Sequence, residues 1–65
     1  MNYLITIFKN KVGFSGTAEI KLFKDTTLEE ALASATKKGQ IVEVWRTDAD
    51  GNPLEEVSWQ HLYHF

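Results

Sequence analysis

One stretch of the chain, "TTLEEALASATKKG" at residues 26–39, carries clear helical periodicity, and it is flanked on both sides by sequence that reads as strand. Leu28, Ala31, Leu32 and Ala35 recur at i, i+3, i+4 and i+7, which places a single apolar stripe on one side of a helix. Thr26 or Thr27 can cap its start, with Glu29 or Glu30 three residues on to complete a capping box. The early acids and the late Lys37 and Lys38 suit the helix dipole, and Gly39 is expected to supply a left-handed stop. Two of the four stripe residues are alanines. Such a helix can lie close to a sheet but covers little of it.

The strands follow from period-two patterns. "NYLITIF" is rich in β-branched and aromatic residues, "KNKVGFSG" is turn-like, and "TAEIKLFK" sets Ala18, Ile20 and Leu22 against Thr17, Glu19 and Lys21, so the first two strands form a hairpin. "QIVEVWRT" reads as a third strand and "EEVSWQHLYHF" as a fourth. Between them "DADGNP" offers the Asp50-Gly51 reversal, and Pro53 forbids a continuing central strand. The expected fold is α+β: a single two-layer domain over residues 1–65, order ββαββ, with an antiparallel sheet and one helix packed on one face. The pattern leaves open whether strand one or strand two is central. In the last segment Val57, Trp59, His61, Tyr63 and Phe65 fall on one side of a strand, so this aromatic row must be covered by the domain's own helix or by another molecule.

A chain of 65 residues buries only ~60% of the surface its unfolded form exposes, so stability is marginal without added support. No cysteine is present, which excludes disulfide staples and thiolate metal sites. "MNYLITIFKN" lacks a basic leader and a small-residue cleavage site and is read as a strand, not a signal peptide. No apolar run approaches the ~18 residues that span a bilayer, and a cytoplasmic, non-membrane protein is expected. The net charge of -2 is divided unevenly: Lys9, Lys11, Lys21 and Lys24 face only Glu19 in residues 1–24, whereas acids outnumber Lys37, Lys38 and Arg46 in the remainder.

Several chemistries are weak fits. "DADGN" resembles part of a calcium loop, but counting from Asp48 the sixth position is Pro53 and the twelfth Trp59, so a plain turn is expected. His61 and His64 are three apart and would point to opposite faces of a strand, with no third ligand, so neither metal nor cofactor is expected. Ser58 and His61 diverge for the same reason. The pairs Glu29-Glu30 and Glu55-Glu56 are consecutive and solvated, and one thin layer leaves little room for a cleft of about 300 Å³, so the chain reads as non-enzymatic. Tyr3, Phe8, Phe14, Phe23 and Trp45, with the four early lysines, could stack and steer nucleic acid; the net acidity and the missing glycine-aromatic signature make that the lesser expectation.

What remains is a surplus of apolar strand surface. The first strand has Tyr3, Ile5 and Ile7 on one face and Leu4 and Phe8 on the other; the third sets Val42 and Val44 against Ile41 and Trp45. One narrow helix covers one face, and contiguous apolar patches on the other mark association sites. Trp45, Arg46, Trp59 and Tyr63 are the residue types that anchor interfaces, and Val12 and Phe14 at a loop tip form a second candidate. A homodimer through strand or sheet-face pairing is a further expectation.

The succession of two strands, the helix "TLEEALASA" and the strand "VEVWR" resembles the small phage-encoded inhibitors of bacterial RNA polymerase from short-tailed coliphages, over roughly residues 3–47. "TLEEAL" after two strands is also similar to HicB-like antitoxins. The resemblance implies a compact protein that a phage or mobile element uses to bind and block a host protein or defence complex, in the host cytoplasm. It implies a partner contact at Arg46, the position matching the first of the inhibitor's contacting arginines. Asp48 stands where the second would be, and the chain continues into an extra strand. A nucleic-acid-binding or antitoxin-like regulator is the alternative it carries.

Overall fold

A computed structural model describes residues 1–9 and 16–62. Strands β1 (Asn2–Lys9) and β2 (Thr17–Phe23) precede helix α1 (Leu28–Thr36), which is followed by β3 (Gln40–Thr47), a short β4 (Pro53–Glu56) and a single 3-10 turn at Gln60–Leu62. The strands form one antiparallel sheet in the order β2-β1-β3-β4, so β1 is central and β2 is an edge. The fold is a small α+β domain with one helix on a four-stranded sheet.

Helix α1 begins as its sequence dictates. Thr27 is the N-cap, its Oγ1 accepting the Glu30 backbone N–H at 3.2 Å, while the Thr26 hydroxyl donates to Glu30 Oε2 at 3.3 Å. Its exit corrects the expectation for Gly39. Among the described glycines only Gly51 has positive φ, and the Lys38 and Gly39 N–H groups both return to the Ala35 carbonyl. Gly39 is needed for space instead. A Cβ there would stand 2.5 Å from the Phe8 carbonyl oxygen and 2.9 Å from Ile7 Cγ2, so the chain can enter β3 this close to β1 only without a side chain.

The core gathers Tyr3, Ile5 and Ile7 of β1, Ala31, Leu32 and Ala35 of α1, and Ile41 and Val44 of β3. Here the strict alternation expected of β3 is overturned. Register shifts between Thr6 and Ile7, so that Thr6 faces Glu43 and Ile7 faces Ile41, leaving Val42 as the extra residue of a bulge. Ile41 and Val44 therefore both reach the core, and Val42 is exposed. The slip turns two apolar residues of opposite parity toward the same helix.

The expected long fourth strand is also corrected. Pro53 opens β4 opposite Thr47, a second register shift leaves Leu54 unpaired and exposed, and the ladder ends after the Val57 N–H donates to the Val44 carbonyl at 2.9 Å. All four residues of β4 are exposed, so extending this edge would bury nothing. Turning off it lets Val57, Trp59 and Leu62 pack against the core cluster. The row of Val57, Trp59 and His61 along one strand face does not form; Tyr63, His64 and Phe65 lie outside the described residues.

Replacing Gly39 by alanine is expected to cost about 1–3 kcal/mol of unfolding free energy, read by urea titration, because the neighbours are β1 backbone and a buried isoleucine. Ser34→Ala on the solvent side of α1 should stay within about 0.5 kcal/mol.

Candidate protein-interaction surface

Directly opposed residues share a sheet face, so the register defines what the helix leaves uncovered. Three rows cross that face. Leu22, Leu4, Trp45 and Glu56 form the first, Ile20, Thr6 and Glu43 the second, and Ala18, Phe8 and Gln40 the third. Leu4, Leu22 and Trp45 are half-buried, while Ile20 is 64% and Phe8 37% exposed. The face is apolar on the β2 and β1 side and acidic toward β3 and β4, where Thr6 Oγ1 donates to Glu43 Oε1 at 3.4 Å.

The turn between β3 and β4 closes one end of this face. Gly51, at φ +87, lies so near that a Cβ on it would stand 3.2 Å from Leu22 Cδ2. Asp48 builds the turn: its Oδ1 accepts the backbone N–H groups of Asp50 and Asn52, both at 2.9 Å, and its Oδ2 the Asn52 amide at 3.3 Å. The Asn52 backbone N–H, followed by the Asn52 side chain and the Asp50 and Gly51 N–H groups, holds the Asp48 carboxyl below its ordinary value. "DADGN" is thus a turn with its first carboxylate committed internally. Asn2 ties this turn to the approach to the helix: its amide donates to the Asp48 carbonyl at 3.2 Å, and its Oδ1 accepts the N–H of Asp25, which sits at φ 52.

Of the residues expected to bind a partner, the three that are described, Trp45, Arg46 and Trp59, do not form one surface. Trp45 lies on the uncovered face. Arg46, next along β3, is opposite Tyr3 on the helix side and pairs through Nε with Glu55 Oε1 at 2.7 Å. Trp59 is half-buried against the core cluster. Val12, Phe14 and Tyr63 fall outside the described residues. Ile20 and Leu22, which were not singled out, are the additions. Their alternation was plain in "TAEIKLF", but the helix side of β2 carries Thr17, Glu19 and Lys21, because a narrow helix over β1 and β3 leaves that edge in water.

Other chemistry finds less geometry. Contrary to the expectation of too little room for a cleft of about 300 Å³, an open recess of about 320 Å³ lies between the β3 bulge and the chain beyond β4, lined by Val42, Glu43, Glu56, Ser58 and Trp59 among others. Among the described residues no three His, Asp or Glu side chains are grouped to hold a metal, and no helix is long and apolar enough to cross a membrane. The aromatics expected to stack bases are divided, Tyr3 and Phe23 on the helix side, Phe8 and Trp45 on the other. Lys9 and Lys21 are on the helix side too, opposite Thr17 and Ile5. No protein-family model matches this chain, and neither the curated proteins nor the solved structures contain a significant match to it.

The depressed Asp48 carboxyl gives a signed pH dependence. A group whose folded pKa lies below its unfolded one stabilises fully above the unfolded value, and the contribution is lost as pH falls through the folded one. Asp48→Ala is expected to melt below the wild type near neutral pH, and the gap should close as pH is taken below the ordinary value of 3.8. A gap that is unchanged in acid would contradict the role given to the ionised carboxylate.

Proposed function

We propose that the chain is a non-enzymatic protein-binding module of ββαββ plan that grips its partner with the uncovered sheet face. The observation that supports this reading is the apolar row Leu22, Leu4 and Trp45, continued by Ile20 and Phe8, on the side of the sheet away from α1. Glu43 and Glu56 border it, so the complementary partner has an apolar centre with basic flanks. Following the resemblance of "TLEEALASA" and "VEVWR" to the phage inhibitors of RNA polymerase, we place the protein in the cytoplasm, as a phage or mobile-element product that blocks a host protein or defence complex. Arg46 is moved from the centre of that surface to the opposite side. The regulator reading draws less support, because Lys9 and Lys21 do not share a face with Phe8 and Trp45.

The test is comparative capture from an extract of the cells in which the protein acts. A specific partner should be retained by the wild type and by Arg46→Glu, and weakened roughly tenfold or more by Leu22→Lys and by Trp45→Ala, as for anchors at the centre of an interface. Equal recovery by all four would exclude this face.

A further inference from the structure

β2 is an edge strand, and its outer side is open among the described residues. Its seven residues, Thr17 to Phe23, are centred on Ile20, the most exposed large apolar residue of the sheet. Around that centre the sequence is complementary to itself. If a second copy pairs antiparallel with Ile20 opposite Ile20, then Glu19 falls opposite Lys21, Lys21 opposite Glu19, Ala18 opposite Leu22 and Thr17 opposite Phe23. Every residue of the strand is paired. Both charge pairs lie on the helix side and all the apolar pairs on the uncovered side. Shifting the two-fold axis by one residue either way puts Glu19 against Glu19 or Lys21 against Lys21, which like-charge repulsion disfavours.

We infer that the chain forms a homodimer by antiparallel pairing of β2 with β2 of a second copy, on a two-fold axis at Ile20. The result is one continuous eight-stranded sheet with both helices on one side. Two uncovered faces then merge across the axis, doubling the apolar surface available to a partner. Charges within the chain are consistent with this. Glu19 already holds Lys9 at 2.8 Å, whereas Lys21 stands over the Phe23 ring at 5.8 Å and, among the described residues, has no carboxylate in salt-bridge range. Lys21 also crowds Lys38, whose ammonium it pushes below its ordinary value. The Glu19 of a second copy would supply the missing counter-charge. An edge pairing buries less than a standard interface, so dissociation in the roughly micromolar range is expected.

Because the chain has no cysteine, one introduced thiol reports the register directly. Opposed residues of an antiparallel pair have Cα atoms about 4.5–5.5 Å apart, within disulfide reach, whereas the two copies of residue 18 would be separated by four residues of strand rise, about 13 Å or more. Oxidised Ile20→Cys is expected to give a disulfide dimer and Ala18→Cys none. In light scattering the wild type should be dimeric at high concentration, and Lys21→Glu should raise its dissociation constant about tenfold. Mixing Lys21→Glu with Glu19→Lys should restore dimers, since each variant then meets opposite charges in the other. Circular dichroism checks that each variant is folded. A wild type that stays monomeric at about 1 mM, equal cross-linking at positions 18 and 20, or indifference to Lys21→Glu would overturn the proposal. A monomer that still lost its partner on Trp45→Ala would refute the dimer alone and leave the face reading intact.

Discussion

The interaction on which everything else depends is the packing of Ala31, Leu32 and Ala35 of α1 in one buried cluster with Ile5 and Ile7 of β1 and Val44 of β3. Alanines let a helix lie near a sheet, and Gly39 lets the chain leaving that helix enter β3 close against Ile7 and Phe8 of β1. Closeness comes at the expense of width. Nine residues of α1 over β1 and β3 cannot shelter β2, whose helix-side positions are accordingly threonine, glutamate and lysine until Phe23. Nor can they shelter the far side of the sheet. Among the described residues α1 is the one α-helix, and the core is enlarged by the segment beyond β4, which folds Val57, Trp59 and Leu62 back against the same cluster. Cover is concentrated where it already exists.

Much of this was legible in the residues. The helix start was written in Thr27 and Glu30, the buried stripe in Ala31, Leu32 and Ala35, and the β3-β4 turn in Asp48 through Asn52. Three features were not. The bulge at Val42 depends on the competition of Ile41 and Val44 for one core, which no local alternation records. The end of β4 depends on what an edge strand fails to bury, which is a property of its neighbours. Gly39 departs from the left-handed stop because a glycine after a helix has two uses, left-handed backbone and close approach, and only the position of Phe8 and Ile7 tells them apart.

The candidate surface was half legible for the same reason. Period-two patterns separated Leu4 and Phe8 from Tyr3, Ile5 and Ile7, and Ala18, Ile20 and Leu22 from Glu19 and Lys21, but they could not say which set met the helix. The burial of Tyr3, Ile5 and Ile7 in one cluster with Ala31, Leu32 and Ala35 decides that. Trp45 and Arg46, neighbours in sequence, lie on opposite sides of the sheet through the same alternation. Asn2 and Asp48 hold the turn over Leu22 at one end of the face, so that the first row stays half-buried while Ile20 and Phe8 are left to water. Apolar contact made by association would offset the marginal stability expected of so small a core.

Side-chain footprinting by a photogenerated carbene, read by mass spectrometry, tests the one-sided burial most directly. At concentrations low enough to keep the chain dissociated, labelling should be strong at Ile20 and Phe8, intermediate at Leu4, Leu22 and Trp45, and near background at Ile5, Ile7 and Val44. Labelling of Ile20 and Phe8 as low as that of Ile5 and Ile7 would contradict an uncovered sheet face.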